Sequence, residues 1–360
     1  MRTTTMAGAA ALALALSACS LLPGSGSDGL TSGDDYSVTG ALAEVPLVTG
    51  DDISVATADL VRATEINGVD RPATFDPKAI FAWEASLDGR PFSGTGDDRD
   101  YGTVHAAPPQ VGRNSLGSKH TEFEELAGWT TLDVDSYVEV RAPHDVTVLT
   151  GAFDDDTLAD LPEVEPGVRT IGEGPDRKQD LEKVTPVSPV GWPMRTSVED
   201  GNLAISPSTE TVQSWREDPD SSMADHPALG PIATALDEED VVSARLEAGD
   251  FRSAGLQGSE AEPLADHPFD GVGVGWGAQD GEPRVVVSYH FADDDAASAA
   301  VEPLREVFDA PTVAEDLVIE EISADGSLVT ARLSTVKANS QHSVAARLQR
   351  RDAPFYLPAR

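Results

Sequence analysis

A chain of 360 residues with a formal net charge of −38, from 25 Lys and Arg against 63 Asp and Glu, excludes nucleic acid as a natural partner, because phosphate backbones are bound by clustered cations. A hydrophobic fraction of 40% excludes a disordered acidic tail and allows a packed core. The acids are spread along nearly the whole chain, so their excess reads as a whole-surface property. It is either adaptation to a saline exterior, where salt screens self-repulsion, or a cation-collecting surface.

At the amino terminus, Met1-Arg2-Thr3-Thr4-Thr5 carries one positive charge, and Met6 to Leu16 is apolar but too short to span a bilayer. Small residues follow at Ser17-Ala18-Cys19. Leu16-Ser17-Ala18-Cys19 resembles the lipobox of bacterial lipoproteins, which implies cleavage before Cys19 and acylation of its thiol. Cys19 is the only cysteine, so no disulfide competes for it. The expectation is a signal peptide over 1–18, a lipid-anchored flexible linker over 19–50, and residence on the extracytoplasmic face of the cell membrane. The most tether-like part is Ser20 to about Asp35, rich in Gly, Ser and Asp. No later run of 18 or more apolar residues is present to cross the bilayer.

In chain order, the apolar spacing of Ile53, Ala56, Leu60, Val61 and Ile66 after Asp51-Asp52 predicts a helix over 53–66. Asp76-Pro77 predicts a second helix to Leu87, and Thr121-Glu122-Phe123-Glu124 a capping box before a helix ended by Gly128. Gly89 to Gly117 reads as a long Gly/Pro/Asp loop of the mobile or functional kind. Tyr137-Val138-Glu139-Val140 and Val146-Thr147-Val148-Leu149 predict an antiparallel hairpin.

The chain then repeats an order of elements. A strand ending at Phe153 is followed by Asp154-Asp155-Asp156 and a helical pattern to Leu161; a strand ending at Phe291 is followed by Asp293-Asp294-Asp295 and a helical pattern to Phe308. Each unit continues with a hairpin, turning at Asp200-Gly201 and at Asp325-Gly326, where type I′ turns favour positive φ. Helical patterns follow over 209–217 and 343–350. The predicted fold class is α+β, as two related units over 51–218 and 219–360, each an antiparallel sheet with helices on one face. Together with the lipobox, the 149–161 stretch and Ser222-Met223-Ala224-Asp225-His226-Pro227-Ala228-Leu229 before a helix resemble a loose group of actinobacterial secreted lipoproteins. That resemblance supplies no catalytic residues.

Candidate chemistry therefore rests on spacing alone. Ser334-Thr335-Val336-Lys337 has the Ser-x-x-Lys spacing of penicillin-binding enzymes, but it ends a strand near the carboxyl terminus, with no Lys-Thr-Gly after it. Gly271-Val272-Gly273-Val274-Gly275-Trp276-Gly277 leads toward another strand, unlike a dinucleotide loop, and reads as a strand against which something packs closely. Asp225-His226 and Asp266-His267, each within Ala-Asp-His-Pro, form the one candidate mixed O/N metal set, against a structural role at helix starts. The acid triplets at Asp154 and Asp293 lack the glycine and distal glutamate of an EF-hand and read as helix-start charges. The expected function is a non-catalytic binding or cell-envelope role without a cofactor, the partner being an envelope protein or a small molecule. The competing reading is an exported, hydrolase-like enzyme whose cleft is lined by Trp129, Trp192 and the 89–117 loop.

Overall fold

The computed structural model describes residues 29–50, 52–95, 98–141, 145–217, 220–256 and 260–358. The expected signal peptide, Cys19 and the first part of the linker lie outside them. Residues 29–50 correct the linker expectation. Ser37 caps helix α1 (Val38–Ala43) by accepting from Gly40 N, and the Asp237 carboxylate accepts from the Val38 and Thr39 amides at 2.5 and 3.0 Å. Leu30, Val38, Ala41, Leu42 and Val45 are buried in the core. Among Gly, Ser and Asp, these few side chains bury enough surface to order the segment.

The span 53–66 is a strand and then a helix: β1 (Asp52–Asp59) and α2 (Leu60–Ile66). Ile53, Val55 and Thr57 are β-branched at every second position, which suits a strand, and Asp59 ends it by accepting from the Val61 and Arg62 amides. Helix α3 (Pro77–Leu87) starts at Asp76 as expected, and α4 (His120–Ala127) ends on Gly128 in the left-handed region, although it begins ahead of Thr121. The hairpin β2 (Val134–Arg141) and β3 (Val146–Gly151) is antiparallel. Short strands β4 (Glu163–Glu165) and β5 (Val168–Ile171) precede the hairpin β6 (Met194–Glu199) and β7 (Asn202–Ser206). Helices α5 (Thr209–Arg216) and α6 (Leu229–Asp237) lead to β8 (Ser243–Gly249), β9 (Gly271–Gln279) and β10 (Glu282–His290). Helices α7 (Asp294–Phe308) and α8 (Pro311–Ala314), strands β11 (Leu317–Asp325) and β12 (Leu328–Thr335), and helix α9 (Ser340–Arg350) complete the order.

These strands make one twelve-stranded sheet, ordered β11-β12-β10-β9-β8-β1-β2-β3-β7-β6-β5-β4. The expected boundary at 218/219 therefore does not interrupt the sheet, because β1 pairs with β8 at its centre. Outward from that pair, β1-β2-β3-β7-β6 on one side and β8-β9-β10-β12-β11 on the other follow the same chain order. The turn at Asp200-Gly201 has positive φ at both residues, 49° and 84°. In the second hairpin Asp325 still pairs with Leu328, so the loop is Gly326-Ser327 and only the glycine, at 54°, is left-handed.

Helices cover both faces, which corrects the expectation of one. Val285, Val287 and Tyr289 join α7 and α9 in one core, while Val286 points the other way into the core shared by α1 and α6. The reason lies in β9. A Cβ on Gly273 would stand 2.3 Å from Ile232 Cγ2, and one on Gly275 3.0 Å from Leu236 Cδ2, so the bare backbone lets α6 lie close against the sheet. The third core, under α2, α3 and α4, holds Trp83, Phe123 and Trp129.

Candidate functional site

The middle of the sheet carries a trough whose origin is the alternation of β1. Ile53 and Val55 enter the α1/α6 core, which leaves Ser54, Ala56 and Ala58 on the opposite face. Register places longer side chains on both sides of these small ones. Arg141, Ser54 and Glu247 form one row across β2, β1 and β8; Glu139, Ala56 and Arg245 form the next; Tyr137, Ala58 and Ser243 the third. Two strand spacings separate the outer members of a row, roughly 10 Å. The helices of the two halves rise on either side of this floor.

Two cavities open from the trough and meet at Arg141. One, of about 250 Å³, is lined by Arg141, Arg245, Glu247, Arg351 and Tyr356. The other, of about 420 Å³, is walled by Val111, Val187, Val190, Trp192, Met194 and Ile205, with Glu139 and Arg141 at its charged end. The second lies within the range of about 300–1,000 Å³ usual for small-molecule sites.

Burial dominates the charges here. It pushes the Glu139 carboxyl above its ordinary value, opposed by Arg141 and by the Gln110 amide, which donate at 3.4 and 3.3 Å. It raises Glu247 as well, opposed by a hydrogen bond from the Tyr356 hydroxyl. Arg245 stands between these carboxyls. Beside the trough, His105 is half-buried with its ring edge-on to Trp276 at 4.9 Å, and desolvation pulls its pKa down to about 4, opposed by Asp88.

A histidine held neutral by desolvation has a consequence for acid stability. The unfolded chain takes up this proton near pH 6.5, the folded chain only near 4, so stability falls as pH drops between those values. His105→Gln is expected to remove a slope on the order of 2 kcal/mol across that window. Denaturant titrations of both proteins at pH 6.5 and 4.5 check it; parallel pH dependences would refute the assignment. Glu139 and Glu247, whose folded pKa is raised, act in the opposite sense in both proteins.

The residues singled out from sequence are dispersed. Cys19 lies outside the described residues. Asp225 closes a capping box by accepting from the Ser222 amide at 2.9 Å, and His226 Nδ1 accepts from the Ala228 and Leu229 amides at the start of α6. Asp266 is exposed, and the His267 amide donates to Leu264 O in a turn. Among the described residues no group of three or more His, Cys, Asp or Glu has the geometry of a metal site. The neighbours of His226 are Asp270 and His290, and these two hydrogen-bond to each other at 2.6 Å. Asp154 and Asp293 cap helical turns, accepting from the Thr157 and Ala296 amides. Ser334 sits on β12, and Lys337 pairs with Glu315 at 3.7 Å.

Of the cleft expected from Trp129, Trp192 and the 89–117 loop, Trp192 and residues 110, 111 and 114 do line the larger cavity. Trp129 instead packs in the core against Phe123 and Phe153. The loop is anchored: Asn114 Nδ2 donates to Pro186 O at 2.7 Å and Arg113 reaches Asp88 at 3.7 Å. Sequence reasoning missed Glu139, Arg141, Arg245 and Glu247. Their signal was a charged residue at every second position of an otherwise apolar strand.

No protein-family model matches the chain, and no curated protein matches it. Among solved structures, crystal form I of TP0453 aligns with 86% of this chain and 97% of its own at 10% identity, with a TM-score of 0.38.

Proposed function

We propose that this is a lipid-anchored protein of the extracytoplasmic membrane face that binds a small molecule without transforming it. The observation that carries the binding role is the 420 Å³ groove: mainly apolar walls, a charged end at Glu139 and Arg141, and a floor set by the strands β2, β3, β6 and β7. The lipobox carries the anchoring. Cys19 and Gly29 are ten residues apart, which spans at most about 35 Å when extended, so an acylated Cys19 would hold the groove near the bilayer. The matching strand order of the two halves supports reading them as related units.

Native mass spectrometry of the protein extracted from its own membrane tests this reading. The expected spectrum shows a mature chain starting at an acylated Cys19 with one added small-molecule mass. Val190→Trp, which fills the groove from its rim, is expected to lose the added mass and keep the acyl group. A mature chain that never carries a second mass, or turnover of ester or peptide substrates by the purified protein, would overturn the binding role.

A further inference from the structure

Resting on that binding role, we propose that the groove holds the alkyl chain of an anionic amphiphile and that Arg141 and Arg245 hold its head group. The walls are mainly apolar, as an alkyl chain requires: Val111, Val187, Val190, Met194 and Ile205 offer no side-chain donor, and the polar groups among them, such as Ser188 and Trp192, are few and small beside the charged end. The same segment that forms the outer wall carries Leu181, Val184 and Val190 at 70, 51 and 37% exposure, an apolar lip continuous in sequence with the groove. Lys183 lies between the first two.

Charge favours an anionic head. In a chain with 25 basic residues against 63 acids, Arg141, Arg245 and Arg351 converge on one cavity that adjoins the groove. Arg245 makes no hydrogen bond or ion pair among the described residues, and Arg351 lies over the Tyr356 ring at 5.5 Å. The carboxyls that share the cleft are engaged or screened. Glu139 pairs with Arg141, and Glu247 accepts from Tyr356. Burial raises both toward the neutral form. Asp52, Asp145 and Asp250 are exposed at the rim, where water and salt weaken them. A guanidinium that faces Glu139 and Glu247 only at longer range, with its hydrogen-bond donors unused among the described residues, matches a carboxylate or phosphate ester beside an apolar groove in a way that no ammonium head does.

The test uses the full mature chain with Cys19→Ser, so that no lipid of its own is present, and calorimetric titration below the micellar concentration. The probes are dodecanoate, dodecyl phosphate, dodecyltrimethylammonium and dodecyl maltoside. Both anions are expected to bind one to one and at least tenfold more tightly than the cation or the neutral detergent. Between decanoate and dodecanoate, affinity should rise about fourfold per methylene. Tighter binding of the phosphate identifies a phosphate-headed lipid as the source; tighter binding of the carboxylate identifies a fatty acid.

Arg245→Gln should erase the preference for anions and leave maltoside binding unchanged, with an unaltered thermal midpoint showing that it folds. Arg351→Gln serves the same purpose if it does not. A cation that binds as well as the anions, or an unchanged preference in both variants, overturns the anionic head while leaving the groove as a binding site. Failure of all four probes overturns the amphiphile. The native mass spectrum then judges the binding role independently.

Discussion

Gly273→Val is expected to destabilise the protein by about 3 kcal/mol or more, at the upper end of the cost of overpacking a core. The first added atom would fall 2.3 Å from Ile232 Cγ2 and 3.3 Å from Leu236 Cδ1, and both belong to α6, whose other side is closed by α1. Neither neighbour has open space into which to withdraw. Calorimetry should show the thermal midpoint lowered by roughly 4 °C or more. Gly117→Ala is the control: nothing lies within 4 Å of its added carbon and its φ is −117°, so its midpoint should stay where it is. A Gly273→Val protein as stable as that control would show that α6 does not lie on this face of the sheet.

Asp176→Ala is expected to cost about 3 kcal/mol, the lower end for breaking a buried pair, because its carboxylate is partly exposed. Arg195, only 4% exposed, donates through Nε to Asp176 at 2.8 Å and to Thr209 Oγ1 at 3.1 Å, through Nη2 to Gly174 O at 2.7 Å, and through Nη1 to Thr170. Removing Asp176 leaves that guanidinium buried without its counter-charge. The Asp176 carboxyl is lifted by burial but held below its ordinary value by hydrogen bonds from Thr209 and Arg195. A depressed carboxylate contributes stability above its unfolded pKa and loses it as pH falls toward the folded one. The gap in urea midpoint between wild type and Asp176→Ala should therefore be full at pH 7 and shrink below pH 4. A gap that stays constant into acid would assign the loss to packing.

What was legible in the sequence was local. Asp200-Gly201 announces a turn because two successive residues must take positive φ, and Asp293 announces α7 because a carboxylate caps its first amides. The mixed α+β class and the antiparallel pairings follow from such signals. The segment 53–66 misled because Ile53, Ala56 and Leu60 satisfy a helical period while Ile53, Val55 and Thr57 satisfy a strand period. Only the long-range pairing of β1 with β2 and β8 decides between them. The span 29–50 misled because average composition hides five or six side chains whose partners lie far away, such as Asp237 for α1. The trough was illegible for the same reason. Ser54 and Ala56 become a floor only when register sets Arg141, Glu139, Glu247 and Arg245 around them.

The pairing of β1 with β8 also governs how the chain is made. A polypeptide emerging amino terminus first, from a ribosome or a translocation channel, presents β1 and β2 early, but the strand that covers the other edge of β1 begins only at Ser243. Until then the nascent sheet displays an open, β-branched edge at what will become its centre, its charges confined to the two ends at Asp52 and Asp59 and without the bulges that guard a true outer strand. β11, by contrast, has a register shift between Ile319 and Glu321 and two adjacent glutamates on the rim. A late-completed central seam makes for slow folding and a long interval of vulnerability to self-association. Synthesis of this protein should accordingly depend on a holding chaperone more than its final stability would require.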